Sequence, residues 1–279
     1  MNEVYVTIDV EDWFQVENLR PAFPRETWDR QEWRVHRNVE RLLELLADHR
    51  ARATFFVLGS VADAFPDLVR RIADEGHEVA SHGYNHQLLY SMNQQELRED
   101  LTRSKKLLED LTGREVTGYR APSFSISDGI IEHIRAAGYR YDSSYNDFGS
   151  HGRYGSIDME RWELICQGVW RCNGTPFYEI PIQNLKFMGL NIPWGGGGYF
   201  RMLPWRLFKK GIENITAHKP YIFYFHPWEI DPDQPVIKEL PAGSRFKHYV
   251  NLSKSEARFK ELLKTFEPMK VLSQLVEER

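Results

Sequence analysis

Two histidines spaced four residues apart, His82 and His86, are the clearest chemical signal in this sequence. They follow an apolar run that is typical of a β-strand. Positions i and i+4 of a helical or tight turn lie on one face, so both imidazoles can bind the same ion. Zn²⁺ takes histidine nitrogens and carboxylates, and a catalytic zinc site keeps one position open for water. Because metal sites need three or more ligands and histidine pairs are common on surfaces, this interpretation depends on partners elsewhere.

Three carboxylates, Asp9, Glu11 and Asp12, follow the first run that is typical of a strand. Crowded carboxylates repel one another unless a cation or a shared proton relieves them, so the cluster indicates metal binding or acid–base chemistry. Asp9 and Glu11 alternate and would share one side of an extended segment, whereas Asp12 joins them only if the chain turns. An exposed acidic loop, or Asp12 capping a short helix, is the alternative.

An arginine and a third histidine complete the set of candidate residues. Arg120 is followed by Pro122, which stiffens the backbone, so its guanidinium can be held towards a carboxylate. His226 ends an apolar run at 221–225, where a general acid or base would lie. Taken separately, Arg120 could form a surface ion pair and His226 could be a buried histidine bonded to a carbonyl group.

The elements that position these residues alternate between strand and helix. The predicted strands are 4–8, 53–58, 78–81, 117–119, 139–141, 178–182 and 221–225. Apolar stripes with helical spacing lie at 39–46, 65–72 and 259–266, and Asn93 with Glu96 resembles a capping box that opens a further helix. This alternation predicts an α/β fold, a barrel of the (β/α)7 type. All candidate residues then fall at the carboxyl ends of strands, where such barrels carry their chemistry.

The length of 279 residues fits a single barrel domain spanning 1–279, with 227–279 as a C-terminal extension packed on it. Residues 143–170 show little periodicity and are predicted to form a long irregular excursion. The two cysteines, Cys166 and Cys172, are too few for a disulfide framework, so we expect both to be free.

Composition excludes several classes of function. The net charge of -4 gives no broad basic surface, so nucleic acid is not an expected partner. No apolar stretch approaches the roughly 20 residues of a transmembrane helix, and the N-terminus lacks a basic segment followed by an apolar one. We therefore expect no transmembrane segment and a cytoplasmic location, with a lipid-linked or nucleotide-linked precursor at the inner face of the membrane as the substrate in that case.

The candidate segments, taken in order, resemble the polysaccharide deacetylases of carbohydrate esterase family 4. The resemblance is carried by Thr7-Ile8-Asp9, by residues 76–86 around the histidine pair, by Arg120-Ala121-Pro122-Ser123 and by Phe225-His226. Residues 194–204 and 227–266 are similar to the branch tied to bacterial exopolysaccharide and surface-glycan gene clusters. The resemblance implies a distorted barrel and a metal-dependent removal of acetyl groups from N-acetylated sugars of a polysaccharide or oligosaccharide.

The resemblance also implies roles for individual residues. Asp9 would be the general base, oriented by Arg120, and His226 the general acid. His82 and His86 would bind a divalent metal, with zinc expected.

Two positions depart from the family pattern. Val10 stands where the family has its metal-binding aspartate, so the third ligand is Glu11 or Asp12, and alternation favours Glu11. The aspartate and tryptophan that accompany the acid in the family have no clear match, and Asp142 is the nearest candidate for tuning His226.

Substrate contacts are assigned to Trp13, Pro122 and Trp228, since flat rings beside the candidate site can stack on sugars, although tryptophans more often pack in the core. Fold and metal do not fix the substrate. A small non-sugar amide is therefore an alternative substrate, and a catalytically silent carbohydrate-binding protein is an alternative function.

Overall fold

The computed structural model describes residues 3–146, 148, 154–266 and 269–277. Its strands are β1 (Val4–Val10), β2 (Ala53–Val57), β3 (Glu78–Ser81), β4 (Gly118–Tyr119), β5 (Tyr141–Asp142), β6 (Trp162–Cys166), β7 (Val169–Cys172), β8 (Tyr178–Glu179), β9 (Asn184–Phe187), β10 (Leu190–Pro193) and β11 (Tyr221–Phe225). Its α-helices are α1 (Val35–Asp48), α2 (Gly59–Ala64), α3 (Pro66–Asp74), α4 (Gln94–Thr112), α5 (Asp128–Ala136), α6 (Gly197–Met202), α7 (Trp205–Thr216), α8 (Ala242–Tyr249), α9 (Leu252–Thr265) and α10 (Gln274–Glu277).

One curled sheet organises the molecule, with the strand order β11-β1-β2-β3-β4-β5-β8-β7-β6. The first seven strands of this order pair in parallel and correspond to the seven strands predicted from the sequence. β1 is fully buried between β11 and β2, with Ile8 opposite Phe225 and Asp9 opposite Phe56. The α/β fold is therefore confirmed, and the curled sheet is consistent with a (β/α)7 barrel.

The prediction that residues 143–170 form an irregular excursion is wrong for the second half of this range. β6 and β7 form an antiparallel hairpin there, and β7 continues the main sheet through β8. The hairpin escaped the sequence analysis because its strands are short and half exposed, with Glu163 opposite Arg171 rather than a clear apolar alternation. Within the part of the chain that the structure describes, neither Cys166 nor Cys172 takes part in a disulfide bond. Residues 147 and 149–153 of the predicted excursion lie outside the described residues.

Helix stripes and caps follow the predicted pattern. Leu42, Leu43 and Leu46 of α1 are buried in the core, because their spacing places them on one face of the helix. Asn93 accepts hydrogen bonds from the backbone N–H groups of Gln95 and Glu96, so the capping box of α4 is present. These helices fix the ends of the strands from which the candidate residues project.

Residues after β11 pack against the barrel. Phe259 of α9 stacks on Phe225 of β11, with ring centroids 5.1 Å apart. Asp231 forms a buried ion pair with Arg34, next to the start of α1, at 2.6 Å. That residues 1–279 form a single domain, with 227–279 as its C-terminal extension, stays a prediction. Within the described ranges, no helix has the length and apolar character needed to cross a bilayer.

Candidate metal centre and active site

The carboxyl ends of the parallel strands surround one cavity of about 170 Å³. Candidate residues from β1, β3 and β11 meet there, although they are far apart in the sequence. The cavity is lined by Asp9, Glu11, Val16, Glu17, Asn18, His82, His86, Ala121, Ser123, Phe124, Tyr154, Tyr224, His226 and Trp228.

Glu11, His82 and His86 form a cluster of potential metal ligands. One ligand atom from each residue lies within 4.8 Å of the others, and all three side chains are buried. Nδ1 of His82 lies 2.7 Å from the Arg120 carbonyl oxygen, so Nδ1 carries the proton and Nε2 keeps a lone pair for a metal. Glu11 Oε2 is buried and accepts no hydrogen bond among the described residues, although His86 Nε2 lies 2.7 Å away. A carboxylate and two imidazoles with an unsatisfied oxygen fit a zinc-type divalent ion.

The loop between His82 and His86 is held in place by hydrogen bonds with other parts of the chain. The Tyr84 N–H donates to both carboxylate oxygens of Asp100 in α4 at 3.1 Å. Arg20 donates to the His86 carbonyl oxygen at 2.5 Å. Gly83 has a φ of +74°, and a Cβ there would lie 2.9 Å from the Asp100 carboxylate, so the turn requires glycine. The two imidazoles are therefore brought together by a loop and not by a helix.

The surroundings of Glu11 and His82 favour the protonation states in which these two side chains can bind a metal ion. Burial alone would raise the pKa of Glu11, but His86, His226 and His82 outweigh it and hold that pKa well below its usual range. Burial lowers the pKa of His82 to about 4, so this imidazole is neutral at physiological pH. An ionised carboxylate and a neutral imidazole are the forms that bind metals.

Asp9 lies beside the cluster and is paired with Arg120. Nη1 of Arg120 lies 2.7 Å from Asp9 Oδ1 and donates to the Thr7 hydroxyl at 2.7 Å. Nε of Arg120 donates to the Ser143 carbonyl oxygen at 2.9 Å, and the whole side chain is buried. Arg120 thus occupies the orienting position that the family resemblance implied.

His226 faces the same cavity from the end of β11. Its Nε2 lies 3.9 Å from Asp9 Oδ2 and 3.7 Å from Glu11 Oε1, while its Nδ1 lies 2.8 Å from Glu229 Oε1. Burial alone would lower the pKa of His226, but Glu11, Glu229 and Asp9 outweigh it and raise the pKa to about 9. The imidazole is therefore arranged to carry a proton on the nitrogen that faces the cavity.

The prediction that Asp142 tunes His226 is wrong, because the carboxylate bonded to His226 belongs to Glu229. Asp142 instead accepts hydrogen bonds from the hydroxyl and the N–H of Ser144, and it lies opposite Glu179 in the sheet. The sequence held a signal for Glu229. It follows His226 by three residues with a proline between them, which is the spacing of a capping box at the start of a 3₁₀ turn.

Asp12 does not join the metal cluster, so that alternative for the third ligand is wrong. The chain turns after Glu11, and the Asp12 carboxylate accepts the N–H groups of Trp13, Arg34 and Val35 at 2.6 to 2.8 Å. These bonds cap the 3₁₀ turn at 13–15 and the start of α1. Glu11 is the carboxylate that the structure places with the two histidines.

Trp13 is also wrongly assigned to substrate binding. It is buried against Phe14 and Phe23, with ring centroids 5.4 and 5.0 Å away, and its Nε1 donates to the Glu32 carbonyl oxygen. It belongs to an apolar cluster against which Val16, a lining residue of the cavity, is packed.

Trp228 and Pro122, which were predicted to contact the substrate, are both buried at the site. Trp228 lines the cavity, but it is 5% exposed and the imidazoles of His226 and His248 stack on its ring. Its Nε1 donates to Glu11 Oε1 at 3.2 Å, so its contact is with the metal cluster. Pro122 is buried, and its neighbours Ala121 and Ser123 line the cavity instead.

An aromatic wall was missed by the sequence analysis. Phe124 contacts Tyr154 and Tyr224 with ring centroids 5.2 and 5.4 Å apart, and all three line the cavity. Tyr224 had a signal, since it precedes His226 by two residues on β11 and so shares its face. Tyr154 had none, because it comes from an irregular segment.

Comparison with known proteins agrees with this geometry. A family profile described as polysaccharide deacetylase matches residues 26–141, and one described as a domain of unknown function, DUF3473, matches residues 143–275. The chain carries a polysaccharide deacetylase domain. The DUF3473 region supplies β11 and His226, so both regions contribute to the cavity of the deacetylase domain.

Parts of the chain are similar to curated bacterial proteins, and each identity refers to the aligned part of the chain. The chain is 37% identical to a peptidoglycan deacetylase of Helicobacter pylori over 39% of this chain and 38% of that protein. It is 38% identical to a peptidoglycan-N-acetylglucosamine deacetylase of Bacillus cereus over 33% of this chain and 34% of that protein. This chain thus spans about a third of the length of these relatives.

Solved structures show the same fold at low identity. A putative polysaccharide deacetylase from Mycobacterium smegmatis has a TM-score of 0.64 at 22% identity, covering 99% of this chain and 88% of that chain. A CE4 family pseudoenzyme from Bacillus anthracis has a TM-score of 0.51 at 15% identity, covering 99% of this chain and 66% of that chain. Since the fold also occurs in a pseudoenzyme, the fold alone does not make this chain an enzyme.

Proposed function

We propose that this deacetylase domain is a metal-dependent hydrolase that removes N-acetyl groups from N-acetylated sugars of a bacterial surface polysaccharide or exopolysaccharide. One observation carries the proposal. The cluster of Glu11, His82 and His86 shares a cavity with the Asp9–Arg120 pair and with His226, whose Nε2 lies 3.9 Å from Asp9. The names of the curated relatives support an N-acetylated sugar as the substrate class.

Glu11, His82 and His86 would hold the divalent ion, for which zinc suits the donor set. Such an ion, when bound, polarises the acetyl carbonyl and lowers the pKa of water towards about 7. Trp228 donates to Glu11 and the Arg120 carbonyl accepts from His82, so both ligands are oriented by neighbouring groups.

Asp9 accepts a proton from the attacking water. Arg120 holds Oδ1 of Asp9 at 2.7 Å, which leaves Oδ2 on the side of His226. Ser123 lines the cavity with a φ of +52°, and no acceptor for its backbone N–H is found among the described residues. That N–H is available to stabilise negative charge on the acetyl oxygen.

His226 donates its Nε2 proton to the sugar nitrogen as the C–N bond breaks. The oxygen of water joins the acetyl carbon, the bonding electrons of the C–N bond pass to nitrogen, and the products are acetate and an amino sugar. The proposed base and the proposed acid therefore face the same cavity, with 3.9 Å between Asp9 Oδ2 and His226 Nε2.

The test is acetate release by the zinc-supplemented protein from N-acetylglucosamine oligomers, from exopolysaccharide fragments and from N-acetyl amino acids. We expect release from the sugars, and a loss of about 100-fold or more in Asp9→Asn and His226→Ala. Asp67→Asn, the same change on an exposed carboxylate of α3, is the control. Release from the amino acids alone would favour the small-amide alternative, and no release from any substrate would favour the binding protein.

A further inference from the structure

The region matched by DUF3473, residues 143–275, has no function in its family description, yet its side chains complete the cavity. We propose that this region supplies the acid half of the catalytic site, in which Arg201 and Glu229 are positioning residues that hold His226 for proton donation. This assignment rests on the proposed deacetylase function. Asp9 and Arg120, the base half, come from the chain before residue 143.

A continuous chain of charged hydrogen bonds links the three residues. Nε of Arg201 donates to Glu229 Oε2 at 2.7 Å, and Glu229 Oε1 accepts from His226 Nδ1 at 2.8 Å and from the His226 backbone N–H at 3.1 Å. Arg201 is 1% exposed and Glu229 is fully buried. Each carboxylate oxygen therefore has its own partner, and Glu229 has no freedom to turn away from His226.

Arg201 is itself fixed by the end of α8. Its Nη1 donates to the carbonyl oxygens of His248 at 2.8 Å and Val250 at 2.9 Å, and its Nη2 donates to that of Lys247 at 3.1 Å. Carbonyl groups at a helix C-terminus carry partial negative charge, which stabilises the guanidinium. Only the planar fork of an arginine can bind this set and still reach Glu229 with Nε, which a lysine ammonium cannot do.

The chain of bonds sets the tautomer and orientation of His226. Burial alone would raise the pKa of Glu229, but Arg201 and His226 outweigh it and lower that pKa, so the carboxylate is ionised. An ionised Glu229 keeps a proton on Nδ1, and Nε2 is then the nitrogen that points to Asp9 and the cavity. When Nε2 gives its proton to the leaving nitrogen, the imidazole becomes neutral, while Nδ1–H stays bonded to Glu229 and Arg201 exchanges no proton.

The proposed role of Arg201 explains the glycine-rich sequence that precedes it. Residues 194–204 carry four consecutive glycines, and the backbone of this segment bonds to β11, where the Tyr224 N–H donates to Gly195 at 2.8 Å. A Cβ on Gly196 would lie 2.0 Å from the Tyr224 carbonyl oxygen, so close pairing with β11 requires glycine. The glycines thus bring α6, which contains Arg201, against β11, the strand that His226 directly follows.

Two substrates with different leaving groups test the assignment. A sugar amine must be protonated as it leaves, whereas 4-nitrophenolate leaves without a proton. We therefore expect Arg201→Met and Glu229→Gln to lower kcat by about 100-fold on N-acetylglucosamine oligomers, with KM unchanged, and to leave kcat on 4-nitrophenyl acetate within about threefold of the wild type.

Arg258→Met is the matched control. Arg258 also donates to carbonyl groups of α6, those of Phe200 and Arg201, whereas Glu229 accepts from Arg201 and His226. We expect its ratio of amide to ester turnover to equal that of the wild type. Glu229→Gln keeps the size of the side chain, so it also gives a result if Arg201→Met fails to fold.

An equal loss on both substrates in Glu229→Gln would overturn the positioning role and leave the deacetylase function standing. If the wild-type protein released acetate from the ester but not from any N-acetylated sugar, the deacetylase function itself would fail.

Discussion

The carbonyl oxygen of Arg120 lies 2.7 Å from Nδ1 of His82, while the guanidinium of the same residue lies 2.7 Å from Asp9. One residue therefore orients a metal ligand through its backbone and the proposed base through its side chain. The two contacts can be separated by mutation, because a substitution removes the guanidinium and keeps the carbonyl group.

We expect Arg120→Met to lower kcat on N-acetylated sugars by about 100-fold and to leave zinc affinity close to that of the wild type. Removing one partner of a buried ion pair should also cost about 3–5 kcal/mol in the free energy of unfolding. The measurements are acetate release, zinc competition against a chromophoric chelator, and urea unfolding.

Arg34→Met is the control for that variant, since Arg34 forms another buried ion pair, with Asp231 at 2.6 Å. It should be destabilised to a similar degree and keep its kcat. Wild-type kcat in Arg120→Met would contradict the orienting role.

Glu11 and Asp12 are adjacent carboxylates with different surroundings, which makes them a matched pair. We expect Glu11→Gln to weaken zinc binding by more than the roughly 10- to 100-fold that loss of an outer partner costs. Asp12→Asn should bind zinc as the wild type does and lose about 1 kcal/mol of stability, because a cap is weakened. The readouts are zinc competition and thermal unfolding, and the reverse pattern would make Asp12 the ligand.

Two tryptophans offer a second comparison. Trp228→Phe keeps a ring against His226 and His248 but removes the donor to Glu11, so we expect about 10-fold weaker zinc binding. Trp13→Phe removes a donor to the Glu32 carbonyl oxygen, away from the cluster, and should affect stability alone. Equal zinc affinities in both variants would show that the Trp228 bond to Glu11 does not support metal binding.

Asp142 and Glu179 should make stability depend on pH. Burial raises the pKa of Asp142 to about 6, and burial together with Asp142 raises that of Glu179 well above its usual range. The folded pair thus retains protons that the unfolded chain releases above about pH 4.5. The contribution of this pair to the free energy of unfolding is then largest below that pH and falls as the pH rises, by about 1.4 kcal/mol per pH unit for each proton retained.

Glu179→Gln stays neutral, so its stability relative to the wild type should increase between pH 4.5 and 7 in urea unfolding. Glu261→Gln, an exposed change on α9, should show no such trend. If the difference in the free energy of unfolding between Glu179→Gln and the wild type were constant across this range, the folded Asp142–Glu179 pair would not retain a proton.

The sequence predicted what periodicity and strand-end position can show. The seven parallel strands gave clear signals, and the parallel fold then brought Asp9, Glu11, His82 and His226 to one cavity, with Arg120 paired to Asp9. The roles assigned to these residues stay predictions until activity is measured.

The errors came from side-chain directions, which spacing does not determine. From the sequence, the Asp12 carboxylate could point either to the metal ligands or to the start of a helix. In the structure the chain enters a 3₁₀ turn after Asp12, and the carboxylate accepts from the Val35 N–H at the start of α1. Asp142 ends a barrel strand, where catalytic residues often lie, but its carboxylate accepts hydrogen bonds from Ser144 and it pairs with Glu179 in the sheet. Trp13 donates to the Glu32 carbonyl oxygen and Trp228 donates to Glu11, and the residue type alone does not distinguish these two partners.

The most direct measurement is acetate release from N-acetylglucosamine oligomers as zinc is added back to metal-free protein. We expect the rate to rise in proportion to zinc and to level off at one ion per chain, and we expect a His82→Ala/His86→Ala variant to stay at background. Acetate release at the full rate from metal-free protein, or from the double variant, would contradict a catalytic metal at Glu11, His82 and His86.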